Sequence, residues 1–499
     1  MSKTSSFFDL IIEGDRPVAG IGRWLYERIR SAVVAGRLPA GMQVPSSRHL
    51  ASEQAIARGT VVSVFERLVM EGYLKSKVGS GTIVCPIRMT TENDLRQRGV
   101  NAQRTAASTK VSLAKRAASL TSQVFRHGNT NLATRLFSPQ GIALDQFPIS
   151  AWSRVAGRSL RAVSISQLSD GHVSGYRHLR EAIAGSLGVA RGLNVSADQI
   201  LIVSSVQQGL DIAARLLFDQ GDSVWVEDPG YPPARILLAA AGARVAPIPV
   251  DAEGLDVAAG KRIAGQARLV HVTPAHQFPL GMRMSPARRI ALLDWARQSG
   301  AWIFEDDYDG EFRYGSKPLP ALQSFDRNGR VIYAASFSKT LFPALRIAYL
   351  VLPESLVESF RAAKALTARY ASIGDQLTLT EFISQGHYAR HVRRLLGVYA
   401  ERREALIRAI AASQQNLLTL EGEPAGLSVV AWLRRGVTEK QAVSIARDTD
   451  VVAPGLNLFA SGRRLPAGLV LGFGSQPPHQ VARTTRRYLD ALAASVAGR

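Results

Sequence analysis

Cysteine is almost missing from this chain of 499 residues, with Cys85 the single example. An internal disulfide framework is thereby excluded, and a reducing compartment is the expected setting. Long apolar runs are missing too: no uncharged stretch reaches the ~20 residues that cross a bilayer. The opening MSKTSSFFDLIIEGD carries acids where a secretory signal needs its apolar core, so a soluble, cytoplasmic protein with no membrane partner is expected. Acidic residues are scarce beside basic ones, 40 against 61, for a formal net charge of +21. Much of that excess lies early, where residues 1–135 hold 20 basic and 9 acidic side chains. Such density points to a polyanionic partner, although a merely solvated basic surface gives the same count. The remaining composition, 46% hydrophobic and 20% charged, is ordinary for globular protein, and the length allows about three domains.

Three zones differ in texture. Residues 15–86 hold short helical patterns and a hairpin. Residues 87–133 are rich in Arg, Lys, Ser, Thr and Ala with few apolar anchors, which reads as a basic, flexible linker. Residues 134–495 alternate strand-like runs (ILIVS, VWVED, RLVHVTP, AWIFEDD, RVIYAAS) with helix-compatible sequence. That alternation predicts a mostly parallel α/β sheet with its site at the strand ends.

In the first zone, IGRWLYERIRSAVVAG sets Ile21, Leu25, Ile29 and Val33 at helical spacing and closes on Gly36. PSSRHLASE offers a serine cap before a short helix that reaches Glu53. TVVSVFERLVMEGYL then turns Val61, Val64, Phe65 and Leu68 to one side, and KSKVGSGTIV forms a basic hairpin with Gly79, Ser80 and Gly81 at its tip. Helix, short helix, helix and hairpin make a winged helix-turn-helix, whose third helix enters the major groove of double-stranded DNA. Arg48, Arg58, Lys75 and Lys77 fall where such a module meets phosphate.

In the third zone the stretch SFSKTLFPALR isolates Lys339 among small residues. A lysine so placed suits covalent capture of an aldehyde cofactor, pyridoxal 5'-phosphate above all. That cofactor needs a carboxylate at its pyridine nitrogen, a donor at its phenolic oxygen, a phosphate nest and an aromatic to stack on its ring. EDDYDGEF supplies Asp306 and Tyr308; Ser336, Ser338 and Arg346 flank the lysine. SSVQQGLDIAARLL brings the backbone amides of Val206 and Gln207 to a helix start, where a phosphate is favoured, and EDPGYP offers Tyr231.

Two resemblances join these zones. VPSSRHLASEQAIARGTVVSVFERLVMEGYLKSKVGSGTIV resembles the winged helix of the GntR family of bacterial repressors, which implies phosphate and base contacts from Arg48, Arg58, Thr60 and Gly79. From about 134 to 490, GYRHLREAIAGSL, DSVWVEDPGYPPAR, VTPAHQFPLGMRMS, EDDYDGEFRY and SFSKTLFPALRIAYL resemble the fold-type I pyridoxal-phosphate aminotransferases. Together they look like the MocR branch of the GntR family. The fold class so implied is α/β plus α+β, a winged helix-turn-helix fused to an aminotransferase-like effector domain. The implied function is a cytoplasmic, homodimeric transcription regulator that binds an operator and senses pyridoxal phosphate itself or an amine. An active aminotransferase carrying a DNA-binding domain is the alternative.

Several positions depart from those patterns. Ala57 stands where a serine or threonine is usual and cannot cap the recognition helix, and Gly59 is unusual. Aminotransferases hold the substrate α-carboxylate with a late arginine, where this chain has Val470, and place an asparagine where it has Phe278. The family's GABA-sensing members carry an arginine two residues after the PGY tyrosine; here it is Pro233. These departures weaken the enzyme reading and argue against GABA. Arg235, Arg434, Arg463 and Arg464 are candidate substitutes but read as surface arginines. His387 and His391, four apart, read as surface residues rather than a metal pair, and AERREALIRAIAA as a solvated, charge-laced helix.

Overall fold

The computed structural model describes residues 20–77, 81–86, 135–169, 171–314, 319–422, 425–434 and 436–497. Gly79, Ser80 and the expected linker at 87–133 lie outside them, and of Lys77 only the backbone is described. The chain divides into two units.

In the first, α1 (Ile21–Val34), α2 (Ser47–Glu53) and α3 (Arg58–Met70) enclose one apolar core. Leu25, Ile29 and Val33 of α1 meet Val61, Val64, Phe65 and Leu68 of α3, the stripe that helical spacing predicts. The Ser46 hydroxyl accepts from His49 N at 3.2 Å and starts α2. β1 (Gln43–Val44), β2 (Leu74–Lys77) and β3 (Gly81–Val84) form an antiparallel sheet in the order β1-β3-β2, so the hairpin gains a third strand.

The second unit is built on β4 (Ile200–Val203), β5 (Ser223–Asp228), β6 (Arg244–Asp251), β7 (Gly254–Leu255), β8 (Leu269–Val272), β9 (Trp302–Asp307), β10 (Val331–Ser336) and β11 (Ala348–Val351). Their order is β4-β11-β10-β9-β8-β5-β6-β7. Neighbours from β10 through β6 run parallel, while β11 is antiparallel to both β10 and β4. Near-continuous apolar strands reflect burial on both faces. Leu201, Val203, Phe304 and Ile332 meet the helix Val206–Leu217 on one face. Ile200, Ile202 and Tyr333 meet Leu179, Ile183, Leu379 and Phe382 on the other, where Ile303 and Val331 pack with Leu292 and Trp295. Gly209 is needed where the helix Val206–Leu217 crosses β11: a Cβ there would lie 2.6 Å from Leu350 Cδ2.

A smaller antiparallel sheet, β12 (Leu418–Glu421), β13 (Ser428–Leu433) and β14 (Gly468–Gly472), is covered by the helices Glu439–Asp448 and Pro478–Ala497. The AERREALIRAIAA stretch belongs to the helix His387–Ala411 and is not simply solvated. Ala405, Leu406 and Ile410 enter the core, and Arg402 is buried, donating to Gly474 O and to Asp145 Oδ2 at 2.6 Å. Its 3.6-residue period turns one apolar side inward despite the charges, which the charge count conceals. His391 of the same helix is buried edge-on against Phe147, and burial pushes its pKa down to about 4, so the surface expectation fails for it. Among the described residues no group of three metal ligands occurs, and no helix is long and apolar enough to cross a membrane.

Candidate functional site

In the first unit, Arg58 opens α3 and Arg48 is the second residue of α2; both are exposed, as is Lys75 on β2. Thr60 is half-buried, its methyl group beside Gly22. Ala57 occupies the α3 cap with no side-chain hydrogen bond, as its chemistry requires. Arg48 thus lies in the first turn of α2 and Arg58 in the first turn of α3, each beside helix amides that the helix itself leaves unpaired.

In the second unit a cavity of about 440 Å³ opens at the carboxyl ends of the parallel strands. Lys339, Asp306, Tyr308, Ser336, Ser338, Arg346, Val206, Gln207 and Tyr231 all line it. Each arrives by a simple route. β10 ends at Ser336, so Ser338 and Lys339 follow from the strand into the turn. The helix Val206–Leu217 begins beside the end of β4 with Ser205 as its cap, leaving its first amides unpaired by the helix. β9 alternates: Asp306 shares the face of Phe304 and enters the cavity, whereas Glu305 and Asp307 point to the opposite face. There Glu305 accepts from Leu322 N and Gln323 N at 2.7 and 2.9 Å, and Asp307 meets Arg191 Nε at 2.7 Å.

The electrostatics single out three groups. Lys339 is half-buried on the cavity wall, and burial pushes its pKa down to about 8 against the opposing pull of Asp309. Asp306 is buried; its Oδ2 lies 3.4 Å from His271 Nε2, and among the described residues its Oδ1 has no hydrogen-bond partner. Burial also raises the Tyr308 phenol well above its usual range, reinforced by Asp309, Asp306 and Glu227, so it keeps its proton.

Sequence reasoning missed a second layer. His271 and Thr273 line the cavity, and Thr273 Oγ1 donates to Glu227 Oε2 at 2.6 Å. Burial pushes Glu227 up to about 7, and its Oε1 is unpartnered. Tyr308 O lies 3.0 Å from Nδ1 of His276, which also contacts Asp309. The RLVHVTP and VTPAHQ stretches contain both histidines, but only the β8–β9 register sets them beside β9. Ser138, Gln140, Val452, Pro454, Leu458 and Phe459 complete the wall from distant segments. Val470 is fully buried with Val430, Leu456 and Phe459, and Arg235, Arg434, Arg463 and Arg464 do not line the cavity.

The contents of this cavity fit a phosphorylated pyridine aldehyde. An unpartnered, enclosed carboxylate oxygen seeks a donor such as a protonated ring nitrogen; a half-buried amine of lowered pKa suits a carbonyl; hydroxyls, free amides and an arginine suit a phosphate.

Known proteins agree with that fit. Residues 158–451 match the aminotransferase class I and II family, and residues 23–84 match the bacterial regulatory proteins of the gntR family. The chain is 34% identical over 493 residues to MocR of Rhizobium meliloti, named a probable rhizopine catabolism regulatory protein, covering 97% of this chain and 95% of that one. It is 34% identical over 423 residues to the HTH-type transcriptional regulator YdeL of Bacillus subtilis, covering 85% and 86%. The crystal structure of the α-aminoadipate aminotransferase LysN from Thermus thermophilus, complexed with N-(5'-phosphopyridoxyl)-L-leucine, matches with a TM-score of 0.65 at 25% identity. That match covers 72% of this chain and 92% of LysN. With a reader and an aminotransferase fold joined in one chain and matched nearly end to end, the protein belongs to the MocR-type branch of the GntR family of transcriptional regulators.

Proposed function

We propose that this regulator reads operator DNA through its winged helix and holds pyridoxal phosphate covalently at Lys339, using its aminotransferase-like unit as a sensor. The observation that carries the reading is the unpartnered Oδ1 of buried Asp306 in the same cavity as Lys339. Asp306 would hold the proton of the pyridine nitrogen, Tyr308 would donate to the phenolic oxygen, and Tyr231 would pack against the ring. Ser336, Ser338, Arg346 and the amides of Val206 and Gln207 bind the phosphate. Held there, the cofactor would supply an electrophilic carbon that a primary amine can engage in place of Lys339. The signal is either occupancy by the cofactor itself or its engagement by an amine; in both cases the ligand must prefer one of two conformations of a homodimer.

On the DNA, Arg58 reads base edges while Arg48, Thr60 and the wing around Gly79 hold phosphate. A sensor role rather than steady amino-group transfer is supported by Val470, which packs in an apolar cluster where an aminotransferase keeps its carboxylate arginine.

The test is Lys339→Ala beside Arg58→Ala, both in the full-length chain. Lys339→Ala is expected to lose the visible absorbance of the captured cofactor and the effector response, and to keep salt-sensitive DNA affinity. Arg58→Ala should do the converse, with about 1–3 kcal/mol lost from specific binding. A Lys339→Ala protein that still answers its effector would refute the sensor, and sustained transamination by the parent protein would restore the enzyme.

A further inference from the structure

Resting on the reading of α3 as the helix that enters the major groove, we infer that Gly59 is a positioning residue for DNA. Its bare backbone lets the start of α3 come against the edges of the bases, and a side chain there holds Arg58 away from them. The fold gives no reason of its own for a glycine. Gly59 lies within α3, its φ is not positive, and a Cβ added to it would meet no atom within 4 Å outside its chain neighbours and helix backbone. The other glycines described in this unit answer to the fold. Gly20, Gly36, Gly41, Gly72 and Gly81 adopt positive φ, and a Cβ on Gly22 would lie 3.2 Å from Thr60 Cγ2. Gly59 alone among them meets neither demand. Glycine is also among the poorest helix formers, and here it follows a start that Ala57 leaves uncapped. A residue that weakens its helix and serves no packing within the unit points to a partner outside it.

Its place on the helix identifies that partner. Val61, Val64, Phe65 and Leu68 turn inward to the core, while Gly59, Ser63, Glu66 and Met70 are exposed along the opposite side. Gly59 stands on this outer line beside Arg58, in the first turn, the part of a recognition helix that reaches base edges. A bidentate contact from Arg58 to guanine needs donor and acceptor within about 3.2 Å. The distance between helix and groove therefore decides whether that contact forms, and a methyl group at position 59 is enough to change it.

Gly59→Ala and Gly59→Leu in the full-length chain separate this role from a neutral one, because both changes favour the helix. Duplexes that the wild-type protein recovers from a pool of random sequences are the specific probes, and the unselected pool is the nonspecific one. Hydrogen exchange of the α3 amides is expected to slow by up to about fivefold in both variants. Affinity for the selected duplexes should nevertheless fall about tenfold for Gly59→Ala and about a hundredfold for Gly59→Leu. Affinity for the unselected pool should stay within about twofold, since the phosphate contacts and their salt dependence remain. In an Arg58→Ala background Gly59→Ala should add little, because the contact it disturbs is already gone. Variants that bind the selected duplexes as tightly as the wild type, or more tightly as the helix firms, would overturn the inference. So would an equal loss on both kinds of DNA, or losses at positions 58 and 59 that simply add. Arg58→Ala alone keeps the underlying reading distinct. If it left the preference for selected duplexes undiminished, α3 would no longer be the reading helix; if it abolished that preference while the Gly59 variants kept theirs, only the role of Gly59 would fall.

Discussion

The phenol oxygen of Tyr308 lies 3.0 Å from Nδ1 of His276, and the same nitrogen lies 3.0 Å from Asp309 Oδ2. A carboxylate can only accept, so Nδ1 carries the proton and shares it between Asp309 and the phenol oxygen. Tyr308 is therefore an acceptor toward His276, which leaves its own proton free for another partner. Gly426 makes room for this arrangement: its φ is +67°, and a Cβ there would fall 2.0 Å from His276 Cε1.

Asp309→Asn removes the requirement that fixes the histidine tautomer. Nδ1 can then accept from Tyr308, and the phenol proton turns away from the cavity. Pyridoxal phosphate affinity is expected to fall by up to about tenfold, the worth of one hydrogen bond. Tyr308→Phe should cost a similar factor, and Asp309→Asn should add little in that background. Spectral titration of the two single variants and the double variant checks this. Fully additive losses would mean that Asp309 acts by another route.

The lowered pKa of Lys339 gives two pH dependences. Lysine in an unfolded chain holds its proton to 10.5, but here, because of burial, only to about 8. Between those values unfolding takes up a proton, so this group's contribution to the stability of the cofactor-free protein rises with pH; below about 8 the cost of burying the ammonium is fully present. Cofactor capture needs the neutral amine, so its rate should climb about tenfold from about pH 6 to about pH 7 and level off near pH 8. Stopped-flow absorbance measures it. A rate still rising beyond about pH 10 would show an amine that burial has not perturbed.

Much of this was legible before any coordinates, because local chemistry determined it. The inward stripes of α1 and α3, the Ser46 cap and the nine cavity residues all lie on elements whose periodicity or turn residues are explicit in the sequence. What escaped depended on register between distant strands. His271 and Asp306 become neighbours only because β8 and β9 run parallel, and Arg402 looks solvent-facing until Asp145 and Gly474 are set against it. His391 shows the same limit: its spacing from His387 was visible, but the covering Phe147 was not.

The uncapped start of α3 gives a gain-of-stability experiment. Ser46 caps α2, whereas Ala57 leaves the corresponding amides of α3 without a side-chain acceptor. Ala57→Ser should stabilise that helix by about 1 kcal/mol. Hydrogen exchange in the intact protein is the readout, and α3 amides that open with the unit should slow about fivefold. Unchanged protection would mean that the new hydroxyl does not reach the α3 amides.

Arg191 and Asp307 make the strongest stability forecast. Both are buried, Nε and Oδ2 are 2.7 Å apart, Tyr333 donates to the same carboxylate at 2.6 Å, and Glu311 lies 3.6 Å from Arg191. Removing the arginine leaves Asp307 charged and enclosed with Glu311 nearby, which should cost about 3–5 kcal/mol. Arg191→Met tests that loss, and adding Asp307→Asn should recover a large part of it, because the remaining group is neutral. Denaturant unfolding followed by tryptophan fluorescence suits the comparison, since Trp152, Trp225, Trp295, Trp302 and Trp432 belong to the second unit and Trp24 alone to the first. Asp306 precedes Asp307 on β9, so cofactor affinity should fall and recover in step with stability. A double variant no more stable than Arg191→Met would mean that Arg191 serves chiefly by packing, and that its charge is not what holds this end of the strand.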